Sequence, residues 1–208
     1  MNPRTLERYT IPGPAGALEV ALNVPAPPRA GIALIAHPNP VDGGTLDNKV
    51  VHTLARAFAN RGIPALRFNF RGVGGSAGAY DAGDGETDDA LAMVAEMHAR
   101  YPGLPLWLAG FSFGSFVALR ASARAGCRGI VLVAPPVQRF AFDQRVPECP
   151  VLVVQGDADD LVAYDDVARW VDATTPRPQF ERMAGVGHFF HGHLGVLRAA
   201  VDGFIADA

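Results

Sequence analysis

Gly110-Phe111-Ser112-Phe113-Gly114 constrains this chain more than any other stretch. An apolar run, Leu104-Pro105-Leu106-Trp107-Leu108-Ala109, leads into it, and a helix-like run from Phe116 to Ala123 follows. A chain passing from strand to helix through a central serine must turn sharply, with the serine in a strained backbone conformation. Side chains two positions either side would collide with the adjoining strand and helix, so glycines fit there. The hydroxyl then stands clear of the sheet edge, and the amide of Phe113 points where a carbonyl oxygen can be held. Five residues alone carry a large chance component, and a Gly-Ser turn joining two elements is the plain alternative. Such a motif gains meaning only from its structural context. The rest of the chain must supply a histidine, an acid and a second oxyanion donor.

The surrounding pattern suits the turn. Short apolar runs alternate with longer amphipathic ones, which predicts a mostly parallel sheet with helices on both faces. Leu6–Ile11 and Ala17–Val24 flank Pro12-Gly13-Pro14-Ala15-Gly16 and read as an antiparallel hairpin at the sheet edge. Strands are expected at 31–36, 63–70, 104–109, 129–134, 150–155 and 179–183. Helices are expected at 49–61, 87–100, 116–123, 162–174 and 193–205, the first from the spacing of Val50, Val51, Leu54, Ala57 and Phe58. With 208 residues, no internal repeat and no linker, one α/β domain over 1–208 is the natural organisation.

Bulk properties exclude several classes of function. The net charge is −3 with no basic stripe, which argues against a nucleic-acid partner. No apolar run approaches the roughly 18 residues of a membrane span, so no membrane association is expected. The segment Met1–Arg8 lacks the apolar core of a secretory signal. Cys127 and Cys149 share no metal-ligand spacing and read as reduced, structural thiols, which fits a cytoplasmic protein, with a disulfide between them as the lesser alternative. Nothing in the sequence sets an oligomeric state.

A serine hydroxyl is a poor nucleophile at neutral pH unless a base takes its proton. Of six histidines, His188 follows the last expected strand in Gly185-Val186-Gly187-His188. It therefore lies at the carboxyl edge, where open α/β sheets place their ligands. His52 and His98 fall on expected helices and read as surface residues, while His191 and His193 fall near the mouth or the helix start. The base needs a carboxylate to hold its tautomer. Val151–Gln155 runs into Gly156-Asp157-Ala158-Asp159-Asp160, which offers three. Asp160 reads as a helix-capping residue and Asp157 as a brace for the turn, leaving Asp157 and Asp159 both open as the acid.

The motifs His37-Pro38-Asn39-Pro40, Gly43–Lys49, Phe68–Ser76, the Ser112 turn, Gly156–Asp159 and Gly187-His188 together resemble the α/β-hydrolase superfamily over essentially the whole chain. Within it the chain is most similar to small bacterial serine hydrolases near the dienelactone-hydrolase-like group. The resemblance implies the α/β-hydrolase fold, with a mostly parallel eight-stranded sheet and no cap domain. It also implies a Ser112, Asp159, His188 triad in the chain order of that fold, no cofactor, and an anchoring role for Arg71. Dienelactone hydrolases proper use a cysteine nucleophile, and this chain has Ser112. After His37, relatives often carry a glycine; here Pro38 and Pro40 have no amide hydrogen, so Asn39 is the expected second donor beside Phe113.

Phosphate binding at Gly72–Ser76 is disfavoured by the absence of a P-loop lysine. A metal site at His188, His191 and His193 is disfavoured by their spacing and the lack of nearby cysteine or glutamate. Residues 135–149 are too few and too rich in proline for an inserted lid. An open, shallow, apolar site without a positioned charge is expected, with Phe113, Phe189, Phe190, Phe140 and Tyr164 as candidate walls. Such a site suits small neutral acyl esters or thioesters. A peptidase or amidase with the same residues, or a binding protein without catalysis, are the competing readings.

Overall fold

The computed structural model describes residues 4–27 and 30–208. Met1–Pro3, part of the N-terminal stretch read for a signal, and Pro28-Arg29 lie outside the described residues. The chain opens on a hairpin, β1 (Arg4–Gly13) and β2 (Gly16–Pro25). It continues through β3 (Ile32–Ala36), α1 (Lys49–Asn60), β4 (Ala65–Phe68), α2 (Asp84–Arg100), β5 (Leu106–Phe111) and α3 (Phe113–Ser122). The remainder is β6 (Gly129–Val133), β7 (Val151–Gly156), α4 (Tyr164–Ala173), β8 (Gln179–Met183) and α5 (Leu194–Asp207). The eight strands form one sheet in the order β1-β2-β4-β3-β5-β6-β7-β8. The β1–β2 and β2–β4 pairs are antiparallel and all others are parallel.

Strand side chains alternate between two cores, as the pleat requires. Leu34, Leu108, Leu132 and Val153 pack beneath α2, α3 and α4. Ile35, Ala109, Val131 and Val154 pack beneath α1 and α5. Covered on both faces, the central parallel strands β3, β5 and β6 have no polar side to show, which is why they read as unbroken apolar runs, whereas the edge strand β8 is mostly exposed and polar. Among the described residues no helix is long and apolar enough to cross a membrane.

The path of the chain fixes where a ligand can sit. From β3 it moves to β4 on one side, then returns past β3 to β5 on the other. The loops leaving β3 and β5 therefore diverge and open a crevice, the topological switch point of the sheet. Ala36 and Gly110 are register partners across these two strands. Asn39 and Phe113 each lie three residues beyond that pair, so both loops deliver a backbone amide to the same crevice.

Two helices start earlier than their spacing suggests. α2 begins at Asp84 because buried Glu86 accepts the amides of Asp81 and Gly83 at 2.9 and 2.8 Å and closes the first turn. α3 begins at Phe113 and takes in Gly114, normally a poor helix residue. A Cβ at Gly114 would lie 2.3 Å from the carbonyl oxygen of Ala36, and one at Gly110 would lie 2.0 Å from that of Gly114. Only glycine lets β3, β5 and α3 meet this closely. The described residues 134–150, between β6 and β7, contain no helix, so no cap covers the crevice.

Candidate active site

Ser112 occupies the single residue between β5 and α3, at φ 53° and ψ −123°. A non-glycine residue there is strained by roughly 1–3 kcal/mol and persists only where neighbours hold it. Three bonds do so. The Ser112 amide donates to Val133 at 2.8 Å, and the Ser112 carbonyl accepts from the Ser115 amide at 2.8 Å and the Ser115 hydroxyl at 2.6 Å. The strain thus goes into aiming the half-buried Ser112 side chain at the crevice. As the first residue of α3, Phe113 has no intrahelical acceptor for its amide, which sits at the positive end of the helix dipole.

On the neighbouring loop, a 3-10 turn at Pro40–Asp42 folds back on Asn39, whose carbonyl accepts from Asp42 and Gly44 at 3.1 and 2.9 Å. Its side chain donates from Nδ2 to Oδ2 of Asp42 at 2.8 Å. Among the described residues no acceptor takes the Asn39 amide. Fully buried His37 braces the loop from below. Its Nδ1 lies 2.6 Å from the Pro38 carbonyl, and its Nε2 accepts the Phe70 amide at 3.0 Å. Burial pushes the His37 pKa down to about 4, partly offset by the bond to Pro38, so the ring is neutral. Arg71 forks onto Asp89 at 3.0 and 2.8 Å and anchors the loop after β4, as the resemblance implied.

His188 and Asp159 meet across the ends of β7 and β8. Nδ1 of His188 lies 2.8 Å from Oδ2 of Asp159, with the two side chains 5% and 0% exposed. Oδ1 of Asp159 accepts the amides of Leu161 and Val162 at 2.9 and 2.8 Å. Burial would raise this carboxyl. The hydrogen bond from His188, its charge and the two amides outweigh that effect and hold the pKa below the ordinary carboxylate range. Asp157 points elsewhere: it pairs with Arg182 at 2.8 and 2.6 Å and accepts the Gly185 amide at 2.6 Å. It braces the His188 loop, and of the two aspartates Asp159 is the one in contact with His188. The capping role expected of Asp160 is not filled: α4 starts after Ala163 with no side-chain cap, and Asp160 is exposed.

Ser112, Phe113, Asn39 and His188 all line one cavity of about 390 Å³. Phe113, Phe140 and Phe189 form its apolar walls, as expected. Two other expected walls are elsewhere. Phe190 is fully buried in the core beneath α5, and Tyr164 stacks on Phe180 at 5.4 Å outside the cavity. The site also departs from the expected absence of charge, since Arg139 and Asp42 both line it, 4.0 Å apart. His52, expected on the surface, is half-buried with Nε2 2.9 Å from Arg67, whereas His98 is exposed and His193 stands at the start of α5. Gln155 was not anticipated. Its amide reaches Asp159 from the end of β7, and the sequence signal for it is a polar residue closing an apolar strand.

These features have counterparts in other proteins. A family model described as serine aminopeptidase, S33, matches residues 41–142, a span that holds Ser112 but neither Asp159 nor His188. The chain is 41% identical to an α/β serine hydrolase without a lid from Xanthomonas campestris, covering 99% of this chain and 95% of that one with a TM-score of 0.93. An α/β serine hydrolase homologue from Coxiella burnetii is 39% identical over 94% of this chain and 95% of its own, with a TM-score of 0.91. An uncharacterized protein of Rickettsia prowazekii is 32% identical over 93% of this chain and 86% of its own. A strained serine between strand and helix, an uncovered crevice at the switch point and relatives of this coverage place the protein in the α/β-hydrolase superfamily, beside serine hydrolases built without a lid.

Proposed function

We propose that the protein hydrolyses small acyl esters or thioesters through an acyl-enzyme on Ser112. The observation that carries this reading is the buried 2.8 Å contact between His188 and Asp159 at the cavity that also holds Ser112. Asp159 accepts the Nδ1 proton of His188, which leaves Nε2 free as the base. Nε2 takes the proton as the Ser112 oxygen attacks the carbonyl carbon. The carbonyl oxygen becomes an oxyanion held by the amides of Phe113 and Asn39. When the tetrahedral intermediate collapses, His188 returns the proton to the departing alcohol or thiol. The same cycle with water releases the acid and restores Ser112. The cavity volume and its phenylalanine walls suit a short acyl group, and the missing cap leaves the leaving group in solvent.

Hydrolysis of p-nitrophenyl acetate by wild type and Ser112→Ala tests this, together with labelling by a fluorophosphonate. Wild type should turn over and label, and Ser112→Ala should do neither. Equal rates in the two proteins would remove Ser112 from the mechanism. The family model favours one second reading, an aminopeptidase using the same residues. Aminoacyl p-nitroanilides separate the two, since an esterase of this kind leaves them intact.

A further inference from the structure

We propose that Cys127 and Cys149 are a redox modification site, closing to a reversible intramolecular disulfide at the sheet edge opposite the cavity. Their Sγ atoms lie 3.3 Å apart, and both residues are half-buried. A disulfide needs about 2.0 Å between sulfurs, so closure requires only a small further approach. The backbone already holds the two residues together. Cys127 precedes β6 and Cys149 precedes β7, and the amide of Ile130 in β6 donates to the carbonyl of Pro150 at 3.0 Å. The amide of Arg128 is tied to Leu106 at 2.7 Å. These bonds fix the starts of adjacent parallel strands, and the thiols hang side by side from them. The sequence alone reads both cysteines as reduced and structural, because nothing in their spacing shows that β6 and β7 pair.

At 3.3 Å either thiol can donate to the other, so either sulfur can serve as the attacking thiolate with its neighbour as the resolving thiol. With a peroxide as oxidant, one sulfur, as its thiolate, attacks one peroxide oxygen and the O–O bond breaks. The departing oxygen takes a proton, and that cysteine becomes a sulfenic acid. The other thiol then loses its proton and attacks that sulfur, and the hydroxyl leaves as water. Two thiols are oxidised and one peroxide is reduced, with two waters released when the oxidant is hydrogen peroxide.

The bond would close a loop of 22 residues that contains β6 and the segment carrying Pro136, Arg139 and Phe140 of the cavity wall. Constraint of the unfolded chain by a loop of this size, in a protein of this length, is expected to raise the unfolding midpoint by roughly 5–10 °C.

The test treats reduced protein with a slight excess of hydrogen peroxide, then denatures it in the presence of N-ethylmaleimide. Intact mass should show loss of two hydrogens and no maleimide adduct, with dithiothreitol restoring two adducts and the lower midpoint. Cys149→Ser and Cys127→Ser should each fail to lose two hydrogens, keeping one adduct or gaining oxygen at the remaining cysteine, with no rise in the midpoint. Two adducts on oxidised wild type, or independent oxygen addition at both cysteines, would overturn the proposal.

Discussion

Gln155 donates through Nε2 to Oδ2 of Asp159 at 3.0 Å, the oxygen that also faces Nδ1 of His188. The same amide donates to the Val162 carbonyl at 2.9 Å, so one fully buried side chain ties the end of β7 to the segment around the acid. With Leu161 and Val162 on the other oxygen, the Asp159 carboxylate has fixed partners on both sides. Its plane, and with it the orientation of the His188 ring, is set before any substrate arrives.

Replacing Gln155 by leucine keeps the bulk and deletes that donor. A hydrogen bond to a charged group contributes roughly 1.5–3 kcal/mol, and part of this acts through the His188 ring in the transition state. Gln155→Leu is expected to lower kcat about tenfold with little change in KM, and to lose about 1–3 kcal/mol of stability as the Val162 carbonyl is stranded. Steady-state kinetics on a p-nitrophenyl ester, with urea unfolding of the same samples, reads both effects. Unchanged kcat in a folded variant would remove Gln155 from the positioning of Asp159.

The two neighbouring aspartates should separate cleanly. Asp159→Asn presents a donor to Nδ1 and forces the proton onto Nε2, so the base is lost; a fall in kcat of about 10⁴ is expected. Asp157→Asn removes a solvent-screened pair with Arg182, while the new amide oxygen can still accept the Gly185 amide. It should retain kcat within about threefold of wild type. Comparable losses in both variants would reassign the acid.

Asn39 allows its backbone donor to be tested apart from its side chain. Its φ of −53° is one proline can adopt, and its ψ of 124° already suits the proline that follows. Asn39→Pro therefore deletes the amide hydrogen with little distortion. A loss of about 10²–10³ in kcat is expected for one oxyanion donor. Asn39→Ala retains the amide and loses only the bond to Asp42, so a change below about tenfold is expected. If the alanine variant is the worse of the two, the side chain rather than the amide does the work.

Much of this was legible in the chain, and the limits have physical causes. Central parallel strands covered on both faces must be apolar throughout, so their positions along the chain could be read, while their order in the sheet could not. Ser112, Asp159 and His188 follow strands in sequence, and strand ends converge on one edge. Polar residues whose meaning depends on a distant partner were harder. The aspartates after Gln155 are visible, but nothing there shows that its side chain turns back onto one of them, and nothing near Cys127 announces Cys149. Phe190 illustrates a different limit. A loop residue beside the base is a reasonable wall, but its φ of 53° turns the chain so that the ring enters the core. The early start of α3 was hidden because glycine normally ends helices, and here a close approach between backbones requires it.

His37 predicts how stability responds to pH. In the folded protein its pKa is about 4, because burial penalises the imidazolium, while the unfolded chain titrates near 6.5. Between these values the unfolded state binds a proton that the folded state refuses, so stability falls as pH falls. The contribution is fully present above about pH 6.5 and is lost by about pH 4; its total is on the order of 3 kcal/mol. His52 is also held below its ordinary value, mainly by burial and then by Arg67, and adds a slope of the same sign. The His37 share is isolated by His37→Gln, whose side-chain oxygen can still accept the Phe70 amide. Urea unfolding of both proteins should give stabilities that converge as pH drops from about 7.5 to about 4.5, with the shallower slope in the variant. Parallel slopes would mean that His37 is protonated in the folded protein, and the bond from the Phe70 amide to Nε2 would then have to be abandoned.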